Sequence, residues 1–310
     1  MHFFEGSEKK FEIVLKKECS SLLLKERSFW EEIVNASNAE ILSVIESDNI
    51  KAYLLSESSL IIMKNHFVMI TCGQTMIINA IEKFLEKFLI KDIDSVIFQR
   101  KNEYQSFLQK TSFMEDVKKI SSKISGKAFR FGNMDGHHNY IFHMDKPFIP
   151  NINDYTHELL MYHINGEAKP IFNNPNTTIE EIRNLLKLEN LFPQFEFDDY
   201  LFKPYGYSMN AIHHEQYLTI HITPQENNSY VSFETNINLN ILPFCLLEYL
   251  IEKIQPTTFD TISFNLNTRY KFHDKYKPII KVKDSLTCGY NIQFVHYSTL
   301  EKDFQKPVQL

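Results

Sequence analysis

The sequence predicts an α+β fold in which antiparallel sheets are covered by helices. Three observations carry this reading. Strand-like runs follow one another through short polar turns, as in hairpins. Helical stripes stand in blocks between those runs instead of alternating with them one for one. No Gly/Pro/Ser-rich linker divides the chain, whose 8 Gly and 11 Pro are spread over 310 residues. With 43% hydrophobic and 14% aromatic residues there is ample material for a core, and residues 1–310 read as one domain.

The elements follow in chain order. Ser28-Phe29-Trp30-Glu31 has the spacing of a capping box and predicts a short helix. Ala52 to Met63 and Phe67 to Thr71, apolar and β-branched and joined by Lys64-Asn65-His66, predict a hairpin. Gln74 to Ile90 places Ile77, Ile78, Ile81, Phe84, Leu85 and Phe88 on one helical stripe. Lys127 to Phe131 and Tyr140 to Met144 read as strands flanking Asp135-Gly136, with His137-His138 in an exposed turn. Tyr155 to Ile164 reads as a helix, as does Ile179 to Leu188 after the cap Thr178. Strands Phe195 to Phe202, Gln216 to Thr223 and Ser229 to Glu234 follow, then a helix from Leu242 to Ile254 and strands Thr261 to Leu266 and Tyr290 to Tyr297. Each half runs strands, helix, strands. That is compatible with an internal duplication, although no repeat is visible residue by residue.

Composition excludes several functions. A net charge of −6 supplies no basic footprint for nucleic acid. Met1-His2-Phe3-Phe4-Glu5 lacks a basic stretch followed by an apolar run, and Lys and Glu interrupt every apolar segment before eighteen residues, so no membrane span is expected and a cytoplasmic protein is. Cys19, Cys72, Cys245 and Cys288 form no C-x-x-C pair and read as reduced thiols. His213-His214 and His221 share no evident face with acidic ligands, so no metal is expected. There is no Gly-rich phosphate loop and no G-x-S-x-G elbow.

Two places stand out chemically. Leu55-Ser56-Glu57-Ser58-Ser59 is a polar interruption in an apolar strand-like run, which on its own is also what a bulge or exposed edge looks like. Cys72 precedes Gly73 at a strand-to-helix corner, where a thiol is either activated by the helix N-terminus or a small buried hydrophobe.

Taken together, Phe3-Phe4-Glu5-Gly6-Ser7-Glu8-Lys9, Tyr53-Leu54-Leu55-Ser56-Glu57-Ser58-Ser59, Thr71-Cys72-Gly73, Gly206-Tyr207-Ser208-Met209-Asn210, His221-Ile222-Thr223-Pro224 and Tyr230-Val231-Ser232-Phe233-Glu234-Thr235-Asn236 resemble, in identity and order, the eukaryotic-type S-adenosylmethionine decarboxylases. The resemblance spans residues 3 to 236 and is loose beyond about residue 240.

The resemblance implies a four-layer α/β/β/α sandwich of two antiparallel sheets. It implies a proenzyme that splits between Glu57 and Ser58 into a small chain, 1 to 57, and a large chain, 58 to 310, which stay together. Ser58 would become a pyruvoyl cofactor, whose carbonyl accepts the electrons released as carbon dioxide leaves. Ser58 Oγ would attack the Glu57 carbonyl, His221 would be the base of the ensuing elimination, Ser208 would support processing, and Cys72 would be the general acid of decarboxylation. Phe4 and Phe202 match the aromatics that sandwich the adenine, with Glu5, Glu8 and Glu57 lining the cleft toward the cationic substrate. Gln225 stands where the family has a ribose-binding Glu and removes charge assistance there. Glu12, Arg100, Asp154, Thr156, Glu158 and Glu234 match the putrescine region of animal members, but Ile70 replaces the lysine usual there. Losing that cation leaves the carboxylates repelling one another, so putrescine activation is an open expectation. Members occur as single processed pairs and as dimers of them, so a homodimer is compatible. A regulatory homologue that heterodimerises with an active decarboxylase is the alternative, and it should lack the cleavage serine or the acid catalyst.

Overall fold

The computed structural model describes residues 8–225, 229–265, 270 and 272–299. The first half builds one eight-stranded antiparallel sheet: β1 (Lys9–Leu15), β2 (Ile41–Glu46), β3 (Ile50–Leu55), β4 (Ser58–Met63), β5 (His66–Thr71), β6 (Ile93–Arg100), β7 (Gly126–Gly132) and β8 (His138–Met144), in the order β2-β3-β4-β5-β1-β6-β8-β7. The second half builds another: β9 (Thr156–Tyr162), β10 (Glu196–Leu201), β11 (Tyr207–His213), β12 (Gln216–Thr223), β13 (Tyr230–Thr235), β14 (Thr258–Phe264), β15 (Tyr276–Ser285) and β16 (Asn291–Thr299), in the order β10-β11-β12-β13-β9-β14-β16-β15. Adding eight to each strand number of the first order gives the second. The duplication invisible in the residues is therefore complete in the topology.

Strand alternation explains the layers. Phe11, Ile13 and Leu15 of β1 face outward and pack with Trp30 of α1 (Arg27–Ala36) and Ile77, Ile81 and Phe84 of α2 (Ile77–Lys87), and Phe113 and Ile120 of α3 (Phe113–Ser121) complete that layer. Leu218, Ile220 and Ile222 of β12 do the same against Ala168 and Phe172 of α4 (Ala168–Phe172), Ile182 of α5 (Ile179–Leu186), Leu188 of α6 (Leu188–Leu191) and Leu250 and Ile254 of α7 (Leu246–Ile254). The inward faces meet in two apolar clusters. One joins Ile45, Ile61, Val68 and Ile70 to Ile212 and Tyr217; the other joins Ile97 and Ile141 to Leu160, Ile262 and Phe294. The central strands β1, β9 and β13 place charged residues on the inward face between those clusters. No helix among the described residues is long and apolar enough to cross a membrane.

Several expectations are corrected. Ala52 to Met63 is two strands, because Ser56 and Glu57 form a turn. Tyr155 to Ile164 is the strand β9: all seven of its residues are buried, so both faces are covered and no period-2 pattern survives to distinguish it from a buried helix. Ser28 lies inside α1, whose N-cap is Glu26 without a side-chain cap, while reciprocal capping boxes close α3 (Ser112 with Glu115) and α5 (Thr178 with Glu181). His137, expected in an exposed turn, is 9% exposed.

Candidate active site

The hairpin between β3 and β4 pairs Leu55 with Ser58, leaving Ser56-Glu57 as its two-residue turn. Ser58 is buried and its φ is +139°, a region that an L-residue enters at a cost of about 1–3 kcal/mol unless its surroundings fix it. They do so from both sides. Ser56 N–H donates to Glu40 O at 2.8 Å while Ser56 Oγ accepts from Glu40 N–H at 3.0 Å. Cys72 N–H donates to Glu57 O at 3.0 Å. The carbonyl between Glu57 and Ser58 thus faces a backbone donor, the arrangement that stabilises an oxygen gaining negative charge.

Ser208 and His221 are register partners on β11 and β12, and alternation turns both toward the first sheet. Ser208 Oγ lies 2.6 Å from His221 Nδ1, and His221 Nε2 lies 3.2 Å from Cys72 Sγ and 3.4 Å from Thr223 Oγ1. Glu57 Oε2 is 3.5 Å from the same sulfur. Cys72 therefore touches the turn carbonyl through its N–H and the imidazole through its thiol. Gly73, at φ +64°, turns the chain out of β5, and Lys9 Nζ holds that turn by donating to Gly73 O at 2.7 Å and Thr75 O at 3.1 Å. Burial, and then Arg100, lower Lys9 to a pKa of about 8. Ser59, next in the chain, donates to Asn210 Oδ1 at 2.7 Å and contacts Thr219 Oγ1 at 2.9 Å, tying the sheets together beside the turn. Lys9, Thr75 and Thr219 were not singled out by sequence reasoning, although alternation from His221 puts Thr219 on the same face.

Phe202, half-buried just beyond β10, donates its N–H to Gly206 O at 2.9 Å and lines a cavity of about 230 Å³ with Leu201, Tyr205, Ile222 and Pro224. Gln225 follows Pro224 at the rim, its N–H bonded to Thr223 O at 3.0 Å. Tyr207 and Ile222 alternate with Ser208 and His221, so the part of this cavity that they line with Phe172 and Ile182 lies on the helical face of the second sheet, opposite the imidazole. Glu8 is buried deeper: its carboxylate accepts from Ser232 Oγ, from Lys101 Nζ at 3.0 Å and from Tyr230 OH at 3.5 Å. Phe4 and Glu5 lie outside the described residues.

A family profile described as adenosylmethionine decarboxylase matches residues 1–306. The chain belongs to that family. The S-adenosylmethionine decarboxylase proenzyme of Drosophila melanogaster is 30% identical over 342 residues, covering 97% of each chain, and that of Xenopus laevis is 30% identical over 283 residues, covering 85% of this chain and 83% of its own. The Leishmania donovani proenzyme is 32% identical over 251 residues, covering 75% of this chain and 66% of its own, so the match spans just under two thirds of that relative. The solved Trypanosoma brucei AdoMetDC-delta26 monomer shares the fold with a TM-score of 0.59 at 22% identity, covering 78% of this chain and 99% of that one.

In this member of the adenosylmethionine decarboxylase family the interior between the sheets is ionic. Lys10 Nζ lies 2.9 Å from Glu234 and 3.1 Å from Glu158, and Lys101 Nζ lies 3.1 Å from Glu158 and 3.0 Å from Glu8. His66 pairs with Glu12 at 3.0 Å, Tyr217 OH donates to Glu234 at 2.7 Å, and Tyr290 OH donates to Asp154 at 2.8 Å. Burial opposes charge on Lys10, but Glu234 and Glu158 raise its pKa far above the ordinary value; burial likewise opposes charge on Lys101, and Glu158 and Glu8 raise it to about 12. Burial raises Glu234 even with Lys10 beside it, and burial followed by Glu12 raises Asp154. Asp154 and Thr156 line a cavity of about 370 Å³ with His66, Tyr155 and Tyr217.

Glu12, Asp154, Thr156, Glu158 and Glu234 are thus brought to one region, and Arg100 is not. Its parity on β6 turns it to the helical side, where it pairs with Asp116 at 2.9 Å and Glu103 at 2.6 Å, and its neighbour Lys101 faces inward instead. The cation absent at Ile70 is supplied across the ladder, because Lys10 is the register partner of Ile70.

Proposed function

We propose that the chain cuts itself between Glu57 and Ser58 and thereafter decarboxylates S-adenosylmethionine, yielding the aminopropyl donor for spermidine and spermine. One observation carries this reading: His221 contacts Ser208 through Nδ1 and Cys72 through Nε2, while Cys72 N–H holds the Glu57 carbonyl.

Ser58 Oγ attacks the Glu57 carbonyl carbon, a C–O bond forms, and the C–N bond breaks as the amine leaves, turning the peptide into an ester. Negative charge gathers on Glu57 O, toward which Cys72 N–H already points. With Ser208 Oγ accepting from Nδ1–H, His221 Nε2 keeps its lone pair and removes the Ser58 Cα proton. The ester C–O bond then breaks, Glu57 leaves as the new C-terminal carboxylate, and the dehydroalanine left at 58 hydrolyses with loss of ammonia. The resulting pyruvoyl group supplies a carbonyl electron sink for loss of carbon dioxide. Around it, Cys72 Sγ holds the proton to be delivered to the substrate α-carbon. The Phe202 ring offers its face to the adenine, Gln225 hydrogen-bonds the ribose hydroxyls without charge, and Glu57 and Glu8 favour a cationic substrate. A working thiol at Cys72 suits a reducing cytoplasm.

The ion pairs of Lys10 support a further point. The neutralisation for which a diamine would be needed is already supplied by a side chain, so activity should not require putrescine. Intact mass spectrometry tests the main reading. Two chains split after Glu57, the larger lighter than a serine-started chain by one ammonia, together with carbon dioxide release from S-adenosylmethionine, are expected. A single uncut chain, inert with or without putrescine, would overturn it in favour of a regulatory homologue.

A further inference from the structure

Away from the active site, a buried carboxylate lacks a permanent counter-charge. Asp260, on β14, is fully buried between the sheets. Among the described residues it pairs with two imidazoles and with no lysine or arginine: His137 Nδ1 is 3.0 Å from Oδ2 and His296 Nδ1 is 2.7 Å from Oδ1. Tyr162 OH donates to Oδ2 at 3.1 Å. An unpaired charge in such a place is costly, and buried carboxylates are normally matched by a cation or by a metal.

The fold assembles this cluster from both sheets. Asp260 and His296 are register partners across the β14–β16 ladder. His137 reaches them from the other sheet, from the turn that leads into β8. The two imidazoles stack at 3.9 Å between centroids with 21° between planes, which directs both Nδ1 atoms at the same carboxylate. One ligand atom from each of the three residues lies within 4.8 Å of the others, close to the ~4.4 Å that two donors about 2.2 Å from one ion can span. One outer nitrogen is also provided for: His137 Nε2 is 2.8 Å from Tyr104 OH, while Thr258 Oγ1 lies beside the His296 ring, 3.3 Å from Nε2 and 3.5 Å from Nδ1. Tyr104 OH can accept an Nε2–H from His137, the tautomer that leaves the Nδ1 lone pair facing inward, as outer partners of metal-bound histidines do.

We propose that His137, Asp260 and His296 bind one divalent ion of the zinc class, with Tyr162 or a water completing four ligands, and that the ion fastens the two sheets together. Two imidazoles and one carboxylate form a borderline donor set that suits zinc or cobalt over magnesium or calcium.

The test uses the full chain with Cys72→Ala, so that the active-site thiol does not compete, stripped with chelator and titrated with Co²⁺ and Zn²⁺. One equivalent of Co²⁺ giving four-coordinate visible bands, displaced by Zn²⁺, with Zn²⁺ raising the melting temperature, is expected. His137→Gln, at a turn, and His296→Gln should each weaken Co²⁺ binding more than about tenfold, while His213→Gln leaves it unchanged. Absence of stoichiometric binding in the folded protein, or bands that survive in folded His137→Gln, would overturn the site. Metal stoichiometry is read without turnover, so this outcome is separate from that of the decarboxylase reading.

Discussion

At the residue scale, the two attachments of Cys72 can be separated. Cys72→Ala keeps the N–H on Glu57 O and loses only the thiol, so self-cleavage should persist in gel assays while turnover falls by about 10²–10⁴-fold. His221→Ala should stay uncut, because no base remains for Ser58 Cα; a cleaved His221→Ala protein would remove His221 from that role. Lys9 sets a pH dependence. Held near 8 in the fold against an ordinary 10.5, it binds fewer protons there than in the unfolded chain over that interval. Its contribution to stability therefore rises with pH through that window, and below pH 8 its buried charge costs about 3 kcal/mol. Urea unfolding at pH 8 and pH 10 should show about 2 kcal/mol of this increment in the parent and not in Lys9→Met. Ser58, Cys72, Ser208 and His221 were legible because they sit inside short, specific motifs. Lys9 closes one of those motifs too, but its role was not legible, because it acts through an amine on two backbone carbonyls.

At the scale of elements, β1 has the decisive position. It lies between β5 and β6, with alternate residues turned to opposite layers, so Phe11 packs under helices while Lys10 enters the ionic interior. Lys10→Met should destabilise the fold by about 3–5 kcal/mol, because Glu234 is left with the Tyr217 hydroxyl as its remaining partner among those described above while Glu158 keeps Lys101. It should also create a response to putrescine, seen as a raised melting temperature and activity, that the parent lacks. A parent strongly stimulated by putrescine would contradict the self-neutralised reading. The same strand shows where reading from sequence stops. Ile70 was visibly the wrong residue for a carboxylate cluster, yet its compensation at Lys10 is a cross-strand relation that only the register reveals. Arg100 was assigned to that cluster and its neighbour Lys101 was passed over, a one-residue difference that in a strand reverses the face. Seven buried residues in a row hid the strand nature of β9, whereas α2, with one apolar stripe, was plain.

For the whole molecule, the proposed cut after Glu57 would leave β1, β2 and β3 on the small chain and every other strand on the large one. β1 is flanked on both sides by large-chain strands, and β3 remains paired with β4. The processed halves should therefore migrate as one particle in native gel filtration and part only in denaturant; separation in plain buffer would contradict this topology. The matching strand orders have another implication. The hairpin proposed for cleavage, with Leu55 opposite Ser58, has a twin in the second sheet, where His213 faces Gln216 around the two-residue turn His214-Glu215. A molecule of two equal halves has two such turns and needs only one. On the proposed reaction, one half would offer the bond to be broken and the other, through Ser208 and His221, would offer the reagents. That division of labour would be a broken symmetry: neither half would carry a complete reaction, and a single covalent chain would keep bond and base in a fixed one-to-one ratio.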